Sequence, residues 1–428
     1  ASVTNPAQPK AEPKVKFLSD NPDSGYAWLE RKQCQAYQGS GLWPITTADA
    51  LISLLSRLPQ RLNRPAPEET VKGLRIDETI LPTRCEDLPS YWLMTSVAAD
   101  IAAATKNEQA ALQLIWGTLP VPGVYAEAQQ YNNDQIVVMN QDVFPFLYKS
   151  TLIVDRTIDI RETEEGLEFD FSEAEFKRRI KQYPELVDDF ARLMIALARQ
   201  EDLPDMAPAS DAERPLILRQ VTAMQRFIIA HEFGHVISGH TGYGYRLLVL
   251  PQPGATFLVT AQGWDNELKA DEVGLRLADI VYDKQKFSKT DDQLAFRVLA
   301  SYSPALFLEI ADALDDLILC GGSNEGSGRS LLESDQVKIV FDIASKRARK
   351  MSFSPSREEA VILGRRFNDH PPGWLRSRLI IDQGDTLWLD QNHAEQEVQF
   401  AKALIRNARS LSTLAESRMR AAFQEKTE

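Results

Sequence analysis

Cysteine is scarce in this chain of 428 residues. Only three cysteines occur, Cys34, Cys85 and Cys320, and no two of them form a CxxC pair. An odd and scattered set argues against a disulfide framework and against a thiolate metal site. We therefore expect a protein of a reducing compartment, and the predicted location is cytoplasmic.

Long hydrophobic runs are also missing. The most apolar stretch begins at Leu299, but it is interrupted within the length of a membrane helix by the acidic residues Glu309, Asp312, Asp315 and Asp316. The N-terminal segment ASVTNPAQPKAEPKVKF contains no apolar run typical of a signal peptide. We expect no membrane span, no export signal, and a flexible tail over residues 1–15.

An excess of positive charge is absent as well. The chain has 48 basic and 61 acidic residues, which gives a net charge of −13. Binding to a phosphate backbone therefore has no overall electrostatic support, and nucleic acid is not an expected partner. The apolar fraction of 43% and the charged fraction of 25% are typical of a globular protein, which excludes a fibrous or wholly disordered chain.

Helical periodicity dominates the patterns that are present. Apolar residues at three- and four-residue spacing from about Ser40 to Trp116 predict an N-terminal helical region, which we assign to residues 16–120. A terminal helix is predicted from about Asn392 to Phe423, within residues 391–428. These helices predict a mainly helical protein.

Two segments have the patterns of strands. The run DQIVVMN at 134–140 is of β type, and residues on both sides of the Glu-Glu-Gly turn at 164–166 alternate in polarity and predict a hairpin. Predicted strands thus appear before residues 231–240 and not after them.

Histidine is rare too, yet three of the five histidines fall within HEFGHVISGH at 231–240. His231 and His235 are four residues apart, so on a helix two imidazoles project from one face and can reach one ion. Glu232 lies between them, where it can accept a proton from metal-activated water. Imidazole and carboxylate ligands favour zinc, so Zn²⁺ is the expected cofactor.

Local signals delimit the helix that carries these residues. Ser210 and Glu213 form a capping-box pattern, and Pro215 falls in the first turn. Gly239 and Gly242 are candidate C-terminal ends. A second helix is predicted to begin near residue 265.

A catalytic zinc site needs a third protein ligand. His240 stands one residue too early for the HExxHxxGxxH pattern, so we expect it to cap the helix C-terminus instead. Glu267, in ELKAD on the second helix, is the better candidate. Asp271, one turn later, is expected to accept the second N–H of a ligand histidine. Gly234 and Gly274 are small enough to let the two helices approach closely.

Three stretches together resemble a known family. HEFGHVISGH, ELKAD and DHPPGWLRSRLI at 369–380 resemble the HExxH, ExxAD and HPPxxxR motifs of gluzincin zinc metallopeptidases, in particular the heat-shock and CAAX-processing endopeptidases. They stand in the family's order but cover only a small part of the chain. Those relatives are membrane-embedded, so this chain is more similar to a soluble relative, a class that includes phage-exclusion and regulatory peptidases.

The resemblance implies a role for each matching residue. It implies zinc ligands at His231, His235 and Glu267, Glu232 as general base, and Asp271 behind the ligands. His370 and Arg376 would stand near the substrate or brace the site. The candidate donors to the oxyanion are His370, Arg376, Tyr243 and Tyr245. We rank His370 first.

The resemblance also implies a fold and an activity. The expected fold is α+β and mainly helical, with a zincin-like metallopeptidase domain over residues 121–390 that contains the active-site helix, the glutamate helix and a small upstream sheet. The expected activity is zinc-dependent endopeptidase cleavage of intracellular protein or peptide substrates, with a regulatory or phage-defence role.

Two other hypotheses stay open. A regulatory or interaction protein would keep the zincin helices as a scaffold and bind a partner through its N-terminal helices, although every ligand position is retained. An exopeptidase would need an anchor for a peptide terminus, and no recognisable anchor motif such as GAMEN occurs. The Gly/Ser-rich segment at 321–330 is interpreted either as a lid that gates the site or as a linker.

Overall fold

The computed structural model describes most of the chain, and helices account for the larger part of it. The fold is α+β and mainly helical, as predicted. Among the described helices, none combines the length and the apolar character that a membrane span requires. The described residues are 16–40, 44–47, 50, 80–105, 114–120, 124, 126–163, 166–199, 201–211, 213–240, 257–259, 261–284, 292–320, 351–353, 373–388 and 394–424.

The first half combines short strands with helices. In chain order the elements are β1 (Lys16–Phe17), a 3₁₀ turn (Leu18–Asp20), α1 (Gly25–Ser40), β2 (Ile80–Leu81), α2 (Leu88–Ala104), β3 (Ile115–Leu119), β4 (Ala126–Tyr131), β5 (Asp134–Asn140), α3 (Val143–Asp155), β6 (Asp159–Thr163) and β7 (Gly166–Asp170). Strands β1 and β2 pair in parallel, and β6 and β7 form the predicted antiparallel hairpin.

The described residues of the second half are mostly helical. Its elements are α4 (Glu173–Gln182), α5 (Glu185–Ala198), α6 (Glu213–Ile237), β8 (Phe257–Val259), α7 (Ala261–Lys284), α8 (Asp292–Cys320), β9 (Met351–Phe353), α9 (Gly373–Trp388) and α10 (Glu395–Gln424). Strands β8 and β9 pair antiparallel with each other. Both follow the histidine-rich segment, so the expectation of strands only before it is wrong.

The largest sheet has the order β3-β5-β4, with β3 parallel and β4 antiparallel to β5. The strand prediction at 134–140 is confirmed, but the helical prediction fails near its end because Ile115 and Trp116 lie in β3. Ile115 packs with Leu29 of α1, whereas Trp116 packs into the main core. Because both faces are buried, the strand lacks the alternation of polar and apolar residues that marks a half-exposed strand, and a buried helix shares this pattern. The sheet contains strands from both sides of residue 120, where the sequence analysis divides the N-terminal helical region from the metallopeptidase domain.

The main core surrounds α6. Large side chains from several helices meet there, including Phe146, Phe190, Phe227 and Tyr302. Within α6, almost every residue from Gln220 to His235 is buried. The helix is therefore enclosed by protein on all sides over this stretch, and the functional residues near its C-terminal end stand on a firmly packed support.

A disulfide bond joins Cys34 of α1 to Cys85, which lies just before α2, with a Cα–Cα distance of 5.3 Å. The expectation that the cysteines form no disulfide is therefore wrong. The two residues are separated by 51 positions, and their pairing depends on tertiary geometry that spacing does not reveal. The cysteines therefore give no support for a reducing compartment.

Candidate metal centre

Helix α6 begins and ends at the predicted signals. The backbone N–H of Ser210 donates to Glu213 Oε2 at 2.7 Å, and the N–H of Glu213 donates to Ser210 Oγ at 3.2 Å, which is a complete capping box. Gly239 has a φ of +69°. Its N–H donates to Val236 O at 3.1 Å, and that of His240 donates to His235 O at 2.9 Å, as in a Schellman motif.

Two glycines bring α6 and α7 into backbone contact, as predicted. A Cβ at Gly234 would lie 3.1 Å from both Cα and O of Ala270, and a Cβ at Gly274 would lie 3.1 Å from the backbone N of His231. Side chains at these two positions would push the helices apart. The close approach lets residues of both helices reach one point.

That point is formed by His231, His235 and Glu267. The two Nε2 atoms lie 3.1 Å apart, His231 Nε2 lies 3.4 Å from Glu267 Oε2, and His235 Nε2 lies 3.2 Å from Glu267 Oε1. The three side chains are buried, and their donor atoms form a group able to hold a metal ion. The structure thus brings together the three residues predicted as ligands.

Asp271 selects the tautomer of His231. Its Oδ1 lies 2.9 Å from His231 Nδ1. Because a carboxylate oxygen can only accept there, a proton is assigned to Nδ1, and Nε2 is the nitrogen that faces His235 and Glu267. Asp271 therefore contacts the outer nitrogen of His231, and the inner nitrogen belongs to the group that could hold an ion.

Arg376 braces Asp271 from α9. Its Nη2 lies 2.6 Å from Oδ1 of Asp271 and its Nε lies 2.8 Å from Oδ2, a two-point contact. Burial raises the pKa of the Asp271 carboxyl, but the charge and hydrogen bonds of Arg376, together with the contact to His231, outweigh burial and hold the pKa below its ordinary value. Of the two predicted roles for Arg376, bracing the site is the one that its geometry supports.

The carboxylates make the centre attractive to positive charge. Burial lowers the pKa of His231, but Asp271 and Glu267 outweigh burial and raise it to about 10. Burial likewise lowers the pKa of the Arg376 guanidinium, and the charges of Asp271, Glu267 and Glu232 raise it above its ordinary value. A cation placed between the histidines would meet the same favourable field.

His240 contacts the centre in a way that the sequence analysis missed. Its backbone closes the helix, but its half-buried ring places Nδ1 3.4 Å from Nδ1 of His235. Burial and the charge of His235 lower the pKa of His240, so its neutral ring can accept the Nδ1–H of His235. The signal available was the Schellman turn, in which side chains five residues apart meet.

Other predicted residues have different outcomes. Glu232 is buried, with 7% of its surface exposed, on the same two turns of α6 as the histidines. His370, Tyr243, Tyr245 and the segment 321–330 lie outside the described residues. The role of His370 as a catalytic donor therefore stays a prediction.

Comparison with known proteins returned no match to a protein-family model, to a curated protein or to a solved structure. The geometry of the centre is therefore the basis for assigning a function.

Proposed function

We propose that the chain is a zinc-dependent endopeptidase of the gluzincin type, with His231, His235 and Glu267 as the zinc ligands. The observation that carries this proposal is the buried group of two imidazoles and one carboxylate on two closely packed helices, with Glu232 next to the first histidine. The proposed substrate is a protein or peptide.

The spacing of the three donors supports zinc. Zinc bonds of about 2.0–2.2 Å at tetrahedral angles place ligand atoms about 3.3–3.6 Å apart. The two imidazole Nε2 atoms are 3.1 Å apart, His231 Nε2 lies 3.4 Å from Oε2 of Glu267 and His235 Nε2 lies 3.2 Å from its Oε1. Each pair of side chains is therefore close to this spacing, with a different oxygen of Glu267 facing each imidazole. Calcium and magnesium prefer sites made of oxygen atoms, and the two imidazoles disfavour them.

The chain's own residues divide the chemistry among them. When bound, zinc supplies a Lewis acid that polarises a carbonyl and lowers the pKa of water to about 7. Glu232 accepts the proton of the attacking water at its carboxylate and later delivers it to the leaving amine. Asp271 and Arg376 keep His231 in its ligating tautomer and take no part in proton transfer.

Strand β4 supports the choice of an extended peptide as substrate. Among the described strands it lies at an edge of the β3-β5-β4 sheet, and it packs against α6. An edge strand offers unpaired backbone groups that can bond to an extended chain, and such pairing needs no free peptide terminus. This feature favours endopeptidase over exopeptidase activity.

The structure also bears on the interaction-protein hypothesis and on the predicted cellular location. All three proposed ligands and Glu232 are present and buried, which favours an enzyme over a scaffold without activity. A cytoplasmic location has lost the support of the cysteine pattern, because two of the three cysteines are joined. Our proposal therefore names no compartment.

The test pairs metal analysis with one conservative variant. The purified protein is expected to contain about one zinc per chain, and Glu232→Gln is expected to keep the zinc while losing peptide cleavage. New protein termini in cells that express the wild type, but not in cells that express Glu232→Gln, would identify substrates. Full cleavage by Glu232→Gln, or a wild type without zinc, would refute the proposal.

A further inference from the structure

Helix α9, which carries Arg376, begins directly on the surface of α8. The backbone N–H of Gly373 donates to Oδ1 of Asp312 at 3.1 Å, and Asp312 is 2% exposed. A carboxylate at this place satisfies a free N–H of the first turn and interacts favourably with the positive end of the helix. Asp312 thus fixes the first residue of α9.

The same contact leaves no room for a side chain at residue 373. A Cβ at Gly373 would collide with the carbonyl oxygen of Leu308 and would lie 2.9 Å from Cβ of Asp312. The backbone of α8 cannot move aside cheaply, because α8 also packs against α6 and α10. The separation between α8 and the start of α9 is therefore set by the absence of a side chain.

The far end of α9 is fixed on α8 in the same way. Gly384 is packed so that a Cβ would lie 2.8 Å from the Tyr302 ring, and Tyr302 donates its O–H to Asp385 at 2.5 Å. Gly373 and Gly384 are eleven residues apart, about three helical turns, so both lie on one face. With both ends fixed, α9 has little freedom to slide or rotate.

Arg376 stands one turn after Gly373 and spans the gap to α7. A chain of contacts therefore runs from Asp312 to Gly373, along one turn to Arg376, then to Asp271 and His231. We infer that Asp312 and Gly373 are positioning residues of the metal centre, which set the distance between Arg376 and Asp271. This inference rests on the zinc site proposed above.

The inference is tested by a double-mutant cycle with zinc affinity as the readout. The variants are Gly373→Ala, Arg376→Ala and the two combined in the full-length protein, and the zinc dissociation constant is measured by competition with a chromogenic chelator. Loss of a residue behind a metal ligand weakens binding about 10–100-fold. We expect Gly373→Ala to weaken zinc binding about tenfold.

The combined variant decides whether Gly373 acts through Arg376. Once the guanidinium is absent, its position no longer matters, so the combined variant should bind zinc as Arg376→Ala does, within about twofold. A purely structural disturbance would add its full effect to that of Arg376→Ala. Additive losses would therefore overturn the inference.

A second pair of variants covers the case in which Gly373→Ala does not fold. Asp312→Asn keeps an oxygen that can accept the Gly373 N–H, whereas Asp312→Ala removes it. We expect Asp312→Ala to weaken zinc binding and Asp312→Asn to restore most of the affinity. Gln383→Ala, at an exposed position on the same helix, is the control and should bind zinc as the wild type does.

The outcomes separate this inference from the proposed function. A wild type that binds no zinc would overturn both. A wild type that binds zinc, with Asp312→Ala and every folded Gly373→Ala sample within twofold of it, would leave the metal centre intact and overturn the positioning role alone.

Discussion

Asp271 Oδ1 lies 2.9 Å from Nδ1 of His231, behind the face that His231 presents to the other two candidate ligands. The same carboxylate is bound at two points by Arg376, so a mostly buried cation, a carboxylate and an imidazole form one row. The row fixes which nitrogen of His231 faces His235 and Glu267. Metal affinity should therefore depend on residues that never touch the metal.

Asp271→Asn is the direct test of this row. We expect zinc affinity to fall about 10–100-fold, because the amide lacks the charge that favours the ligating tautomer. The protein should also lose up to about 3 kcal/mol of stability, because Arg376 keeps a mostly buried charge and loses its nearest partner, with Glu267 3.9 Å away. Chelator competition and urea unfolding measure the two effects. Unchanged zinc affinity would show that Asp271 serves stability only.

His240 is expected to have a smaller effect. Its ring is half-buried and its contact with His235 is 3.4 Å long, so water can replace it in part. His240→Ala should weaken zinc binding by less than about tenfold, and His240→Gln, which keeps an acceptor, should weaken it less still. A loss as large as that of His235→Ala would instead identify His240 as a ligand. Zinc titration of the three variants separates these outcomes.

The features that the sequence predicted well are those that short-range signals determine, such as helix ends and the spacing of residues on one helix. The ends of α6 follow from Ser210, Glu213 and Gly239, all of which act on backbone groups within a few residues. The pairing of His231 with His235 follows from helical spacing alone. These parts of the centre were therefore predictable before any tertiary contact was known.

What the sequence did not predict depends on contacts between distant residues. The Cys34–Cys85 bond joins positions 51 apart, and the Asp312–Gly373 contact joins positions 61 apart. Strand β3 was mistaken for helix because the sheet is covered on both faces. In each case the deciding partner lies elsewhere in the chain, and no local pattern identifies it.

The disulfide should contribute stability without affecting the metal. Loss of a cross-link between residues 51 positions apart costs about 4 kcal/mol by the chain-entropy estimate. We expect urea unfolding of the wild type to shift to lower concentrations under reducing conditions, with zinc content unchanged. The variant with Cys34→Ser and Cys85→Ser should already show the lower stability and should not respond to reductant. An equal response in both proteins would refute the assignment.

Asp155 should make stability depend on pH. It ends α3 with 2% of its surface exposed, and Gln220 Nε2 donates to its two oxygens at 3.0 and 2.9 Å. Burial raises the pKa of Asp155 to about 7. The charge of Glu213 also raises this pKa, whereas the hydrogen bonds from Gln220 lower it. The folded protein thus keeps a proton at a pH where the unfolded chain, with an ordinary value of 3.8, has lost it.

The sign of the effect follows from proton binding. Between pH 3.8 and about 7 the folded state binds more protons at Asp155 than the unfolded state, so this contribution to stability is fully present below 3.8 and is lost as the pH rises to about 7. Above that pH the buried carboxylate is charged. A shift of this size corresponds to a few kcal/mol.

Asp155→Asn should remove this dependence. The asparagine is neutral at every pH and can still accept from Gln220, while its N–H₂ can donate to Gln220 Oε1, for which no hydrogen-bond partner is found among the described residues. We expect the variant to be more stable than the wild type at pH 8 and to lose this advantage toward pH 4.5. Urea unfolding at both pH values measures the difference in stability between the variant and the wild type. Burial also raises the pKa of Glu86 to about 8, but Glu86 is present in both proteins, so its contribution cancels in this difference. A difference that stays constant with pH would show that Asp155 ionises normally in the folded protein.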